Sequence, residues 1–242
     1  MKRSALAADI DARVAAVDWR SVEAALDDGG FAVVGPLLEP AECGALAAVY
    51  DHDGLFRKRV VMAHHGYGRG EYRYFAYPLP EPVAALRRAL YPPLAAIANR
   101  WAEALGETTR YPPEHASYLA RCHEAGQSRP TPLLLRYGVG DYNRLHQDLY
   151  GELVFPLQVT VLLSDPDKDF TGGEFVLTEQ TPRMQSRAEV VPLRLGEAVI
   201  FPVNHRPARG ARGFRRVAMR HGVSRLRSGD RFTLGVIFHD AT

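Results

Sequence analysis

Apolar residues recur every three or four positions along residues 14–26, 43–49 and 83–105, the spacing that lines one face of an α-helix. Pro40, between Glu39 and Glu42, suits the first turn of the second segment, where a missing N–H leaves no bond unmade. Pro92 and Pro93 are expected to break the third into two pieces, because an interior proline removes a hydrogen bond and clashes with the preceding turn. Residues 31–37 are short, β-branched and bounded by Gly29, Gly30 and Pro36, which predicts one early strand.

After Pro132 the period changes. Segments 133–137, 155–163, 174–178, 189–193, 198–201, 216–226 and 231–238 are rich in Val, Ile, Leu and Phe, with Gly, Pro, Asp and Asn between them. Seven closely spaced strands with no helical pattern between them predict two facing sheets that control their own edges. The expected class is α+β, a jelly roll or double-stranded β-helix with helices packed outside its sheets. Residues 1–130 would be a mainly helical extension with that one early strand, and residues 131–242 the jelly-roll core, together one integrated domain.

Composition narrows the function classes. With 46% hydrophobic and 24% charged residues the chain is that of an ordinary globular protein. It holds no apolar run of about 18 residues, which excludes a helical membrane span. Asp9 and Asp11 interrupt what a signal peptide would need as its apolar core. Cys43 and Cys122 are too few for a disulfide framework or a thiolate zinc site, so a cytoplasmic setting is expected. Any metal must rest on histidine and carboxylate. The net charge of +2 hides an asymmetry: residues 183–231 carry twelve arginines against Glu189, Glu197 and Asp230, a net of +9 that leaves −7 for the rest. Five of these, Arg206, Arg209, Arg212, Arg215 and Arg216, fall in what reads as one loop, either a phosphate-binding mouth for nucleic acid or a solvated surface.

The candidate chemistry starts at His146 and Asp148, two positions apart. On an extended strand that spacing turns both side chains to one face. With one distant histidine they would supply two imidazoles and a carboxylate, a facial triad for iron(II) with open positions for other ligands. Taken alone, such a pair more often just hydrogen-bonds. His221 and His205 compete for the third place. Arg231 favours His221: with residues 227–229 as a hairpin turn, Arg231 pairs with Arg225 and Thr233 with Val223, so His221, Arg231 and Thr233 share a face. A guanidinium there matches a ligand carboxylate in bidentate fashion. The other histidines, His52, His64, His65, His115, His123 and His239, have the default reading of surface or hydrogen-bonded residues.

In order along the chain, Leu135-Arg136-Tyr137-Gly138-x-Gly140, His146-x-Asp148, Gly172-Gly173-Glu174-Phe175, Gly196-Glu197-Ala198-Val199-Ile200-Phe201, His221 and Arg231 resemble the prolyl-4-hydroxylase-like branch of 2-oxoglutarate and iron(II) dependent dioxygenases. These motifs, with the Tyr-rich residues 66–80, are similar to those of a bacterial family described as acting in oxidative demethylation of damaged DNA. The resemblance implies a dioxygenase that takes Fe(II), 2-oxoglutarate and O2 and hydroxylates a C–H bond. It implies His146, Asp148 and His221 as iron ligands and Arg231 as anchor of the far carboxylate of 2-oxoglutarate. Tyr137, and after it Thr233, would assist. Where related hydroxylases often place a tyrosine after the His-x-Asp pair, this chain has Val161-Leu162-Leu163, and Gln158 is the candidate for that polar contact. The residues alone leave other readings open: a protein or small-molecule hydroxylase on the same chemistry, a non-catalytic jelly-roll binding module, or a zinc hydrolase.

Overall fold

A computed structural model describes residues 4–149, 151–181, 183–210 and 213–242. The chain opens with α1 (Ala5–Ala15), α2 (Trp19–Gly29), β1 (Ala32–Val34) and α3 (Pro40–Ala48). Next come β2 (Phe56–Val61), β3 (Gly68–Arg69), β4 (Glu71–Phe75), α4 (Glu81–Ala104) and α5 (His115–Glu124). The C-terminal half is β5 (Leu133–Tyr137), β6 (Tyr142–His146), β7 (Leu157–Leu162), β8 (Phe170–Gly172), β9 (Phe175–Gln180), β10 (Arg187–Val191) and β11 (Ala198–Pro202), then β12 (His205–Gly210), β13 (Gly213–Val223), β14 (Leu226–Gly229) and β15 (Arg231–Val236).

Residues 14–26 are not one helix. The Asp18 carboxylate accepts from the N–H groups of Arg20 and Ser21 and starts α2 afresh, as an N-cap aspartate does. Conversely, Pro92 and Pro93 do not break α4, which runs unbroken through them. Pro92 is exposed and Pro93 half-buried, so the prolines lie on the outer face of the helix, while Leu90, Tyr91, Leu94, Ile97 and Ala98 are buried. Packing of that face outweighs the lost hydrogen bonds. Pro40 does open α3, where the Glu42 carboxylate accepts from the Glu39 N–H at 2.7 Å.

A seven-stranded sheet runs β1-β11-β7-β15-β5-β4-β2 and a six-stranded sheet contains β10-β9-β13-β6-β3, with β12 paired to β13. The described pairings are antiparallel. The expected single strand in residues 1–130 is corrected: β2, β3 and β4 lie there too, and β1, β2 and β4 pair into the large sheet. Residues 56–61 show no apolar periodicity because β2 is an edge strand, and its charged side chains are what an edge strand carries.

Pleating divides the large sheet into two chemistries. Leu134, Val159, Val161, Ile200, Leu234 and Val236 belong to the helix-covered core with Leu86, Leu90, Leu94 and Trp101. The alternate residues Leu133, Leu135, Tyr137, Gln158, Thr160, Arg231, Thr233 and Gly235 face the smaller sheet, across a cavity. No helix among the described residues is long and apolar enough to cross a membrane.

Candidate metal centre

His146 ends β6, and its antiparallel neighbour β13 places His221 directly opposite it in register. Directly opposed residues project to the same face, and the two rings lie 4.2 Å apart, centre to centre. Asp148, two residues on, turns to the same side. Its Oδ1 is 3.4 Å from His146 Nε2 and its Oδ2 is 3.3 Å from His221 Nε2. Ligand atoms of these three side chains all lie within 4.8 Å of one another, and no other such group of His, Cys, Asp or Glu occurs among the described residues.

The electrostatics prepare the cluster for a cation. Burial works against ionising Asp148, but the hydrogen bonds and charges of His146 and His221 hold its carboxyl well below the usual range. Burial pushes His221 down, and the neighbouring His146 pushes it further. His146 is also opposed by burial, yet the Asp148 hydrogen bond and charge raise it on balance. His146 Nδ1 lies 2.7 Å from the Arg144 carbonyl and donates to it. That assigns its tautomer and leaves the Nε2 lone pair aimed at the cluster. Between the two ligands, Gln147 donates to the carbonyls of Asn204 and Met219, both at 2.9 Å, tying the segment to the strand that carries His221. Phe201 and Phe175 wall in the His221 ring at 4.7 and 6.0 Å.

Across a cavity of about 260 Å³ lies Arg231, only 2% exposed. Its Nη1 makes one long contact, 3.5 Å to Thr233 Oγ1, and its Nε has no partner. Otherwise the guanidinium meets ring faces, Tyr137 at 5.7 Å and Phe170 at 5.8 Å. Burial pulls its pKa down to about 10, still charged at neutral pH. A desolvated cation this poorly paired is costly, and it lines the cavity that also holds the His-Asp-His cluster. The donor set therefore fits a divalent metal at one end and a ligand carboxylate at the other.

The sequence matches, over residues 70–241, the family described as "Oxygenase, catalysing oxidative methylation of damaged DNA". The chain belongs to this oxygenase family. An uncharacterized protein of Mycobacterium tuberculosis (strain H37Rv) is 48% identical over 190 residues, 76% of this chain and 82% of that protein. Among solved structures, a Pseudomonas putida prolyl-4-hydroxylase has a TM-score of 0.51 at 14% identity, covering 93% of this chain and 99% of its own. A 2OG-Fe(II) oxygenase family oxidoreductase from Burkholderia pseudomallei has 0.52 at 15% identity, covering 91% and 90%. At such identities the likeness is one of fold, the jelly roll that the strand pattern predicts.

In this oxygenase Arg231 does not have the strand partner expected of it. Residues 227–229 do not turn a hairpin: β13 lies in the small sheet and β15 in the large one, so Arg231 pairs with Tyr137 rather than Arg225, and Thr233 with Leu135 and Leu162 rather than Val223. The intervening β14 pairs with β8 as a separate ribbon that carries the chain across the sandwich. His221 and Arg231 thus line one cavity from different sheets. The rival His205 sits on β12 opposite Ala218, outside the cluster.

Tyr137, Gln158 and Thr233 all line the oxygenase cavity, and the Tyr137 hydroxyl and Gln158 Oε1 are buried without partners. Thr160, Asn143, Tyr67 and Tyr72 line it too; only the Tyr-rich stretch hinted at the last two. The described arginines of that segment lie not in a loop but on the paired strands β12 and β13. Arg206 is 4% exposed and spent on Glu179 and the Asp27 and Asp28 carbonyls at the end of α2, so it cannot take a phosphate. Arg216 is paired with Glu107 at 2.6 Å. Arg209 and Arg215 are exposed, Arg212 lies outside the described residues, and none of the other four lines the cavity. Among the remaining histidines the default reading suits His115, which donates to the Phe238 carbonyl at 2.8 Å, and His123, 2.8 Å from Asp240.

Proposed function

We propose that this oxygenase is an Fe(II)- and 2-oxoglutarate-dependent dioxygenase that hydroxylates a C–H bond, with an N-methyl group on a nucleic-acid base as its substrate class. The observation that carries this reading is the buried, poorly paired Arg231 across a small cavity from His146, Asp148 and His221. A zinc hydrolase on the same three ligands has no use for that guanidinium.

In this reading His146, Asp148 and His221 hold the iron and leave the cavity side open. When bound, iron(II) and 2-oxoglutarate supply the chemistry by which dioxygen hydroxylates a C–H bond, with release of succinate and carbon dioxide. Arg231 takes the far carboxylate of the keto acid with its unspent N–H groups, and the Thr233 and Tyr137 hydroxyls complete that end. Gln158 and Thr160 border the same cavity with polar groups. Phe175 and Phe201 keep water from the His221 side, which strengthens each of these charge contacts. Hydroxylation of an N-methyl group leaves an unstable hemiaminal, so the expected outcome on a base is loss of the methyl. The family description and the partly exposed aromatic side chain of Tyr67 at the cavity mouth support a nucleic-acid base as the substrate.

The test is to incubate the protein with iron(II), 2-oxoglutarate, oxygen and an N-methylated single-stranded oligonucleotide. Stoichiometric succinate and formaldehyde are expected. Succinate formed only with a peptide or small molecule would move the substrate class; none under any condition, with iron bound, would contradict the reading.

A further inference from the structure

The described arginines of β12 and the start of β13 do not line the oxygenase cavity, but another basic surface joins it. A second cavity of about 240 Å³ shares Tyr67 and Tyr72 with the first. Its walls bring together Arg57, Lys58, Arg129 and His65 with Tyr74, Ala241 and Thr242, and contain no Asp or Glu side chain. The ladder between β2 and β4 slips between Phe56 and Lys58, and such a bulge re-aims a side chain. Arg57 is thereby laid 4.6 Å over the Tyr74 ring, with its Nε donating to the Pro130 carbonyl at 2.8 Å. Burial, and after it the neighbouring Arg129, lower the Arg57 pKa against the opposing influence of Tyr74 and Asp240.

The contrast with the adjacent arginines is sharp. Arg59, the next-but-one residue on β2, has Glu71, and Arg73 has Asp53. At the junction of the two cavities Tyr67 is 49% exposed and stacked on His65, 5.2 Å apart and 22° from parallel. That makes a flat aromatic platform at the mouth, with cations to one side and the His-Asp-His cluster to the other.

We propose that this groove is the seat of a single-stranded nucleic acid. Phosphodiester groups lie against Arg57, Lys58 and Arg129, and the base beside the target stacks on the Tyr67–His65 platform. The target nucleotide passes Tyr67 and Tyr72 into the metal cavity. Stacking platforms set in a cationic groove bind strands with little regard to sequence. The inference rests on the nucleic-acid reading above and adds where the strand lies.

The experiment is fluorescence anisotropy of a short labelled single-stranded oligonucleotide across a salt series. It compares the wild type with Arg57→Gln/Arg129→Gln, Lys58→Gln/Arg129→Gln, Tyr67→Ala and, as control, Arg209→Gln/Arg215→Gln. Each groove double variant is expected to bind at least about tenfold more weakly, with the slope of log K against log salt reduced by about 1.4 for two lost phosphate contacts. Tyr67→Ala should weaken binding without changing the slope, and the control variant should behave as wild type. Lys58 and Arg129 are exposed, so that pair decides the matter if Arg57→Gln disturbs the Pro130 contact. If the wild type binds the strand and the groove variants bind equally well with unchanged slope, the groove assignment falls while the nucleic-acid reading stands. Inorganic phosphate competing as well as the oligonucleotide, per phosphate group, would replace the strand by a small anion. A wild type that binds iron and 2-oxoglutarate but no strand would sink the nucleic-acid reading itself, and the groove with it.

Discussion

Two arginines are buried to the same degree, Arg87 and Arg231, each 2% exposed, and they live in opposite circumstances. Arg87, on α4, donates to the Ile237 carbonyl at 2.8 Å, the Tyr77 hydroxyl at 2.9 Å, the His239 carbonyl at 3.0 Å and the fully buried Asp240 at 2.7 Å. Its charge is matched within the chain, and what it accomplishes is to pin the C-terminal residues 237–240 onto the helix. Arg231 has one long contact and an idle Nε. A buried charge the protein supplies with every partner is architecture. One left half-solvated by ring faces, on a cavity, is placed for a partner from outside, and a fold tolerates that cost where function needs it.

The widest gap should open at Arg87. Arg87→Met leaves the Asp240 carboxylate buried without its main counterion, and removing one partner of such a pair costs about 3–5 kcal/mol. Urea denaturation should show that loss with 2-oxoglutarate affinity, measured on folded protein, unchanged; a loss below about 1 kcal/mol would erase the distinction. Arg231→Met should do the reverse. Stability is expected to hold or rise, since a poorly compensated cation is removed, while 2-oxoglutarate affinity falls by about 2 kcal/mol or more, roughly 30-fold. A large drop in stability would make Arg231 structural.

Acid should find the Arg87 end first. Burial, with Arg87's charge added, lowers His115 and His239 to about 4. The unfolded chain therefore takes up these protons near pH 6.5 while the folded chain resists until about 4, and stability falls as pH drops through that window. Asp240, lowered despite its burial by Arg87, His123 and Tyr77, contributes stability that is lost as pH falls through its folded value, the same direction. The loss is up to about 3 kcal/mol for each histidine. A denaturation midpoint flat from pH 7 to 4 would contradict this. Thr233→Val should have the smallest effect, about 1 kcal/mol or fivefold in 2-oxoglutarate affinity, with no change in folding. Competition binding would detect it.

How far these features could be read from sequence follows from the range of the interactions behind them. Strands β5, β7, β9, β11 and β15 announce themselves because each has at least one buried apolar face. His146 and Asp148 are legible because two residues of pleat decide their common side. The pairing of His146 with His221 is a register across 75 positions of chain, set by the whole sandwich, and no local pattern encodes it. The hairpin expected at residues 227–229 failed for the same reason: the turn residues are there, but tertiary packing sends β13 and β15 into different sheets. Charged edge strands such as β2 hide from an apolar-periodicity reading, and with them went Arg57 and Lys58. The arginine-rich run at residues 206–216 drew attention by its density, yet burial and partner decide what a charge does. Arg206 is consumed by a helix end.

The central claim is that Arg231 waits for the far carboxylate of a keto acid whose other end meets the metal. Anaerobic titration of the iron(II)-loaded protein with 2-oxoglutarate and with 2-oxobutanoate, which lacks that carboxylate, tests it directly. The account predicts 2-oxoglutarate to bind at least about 30-fold more tightly, and the gap to collapse in Arg231→Met. Equal affinities in the wild type, or a gap that survives the substitution, would contradict it.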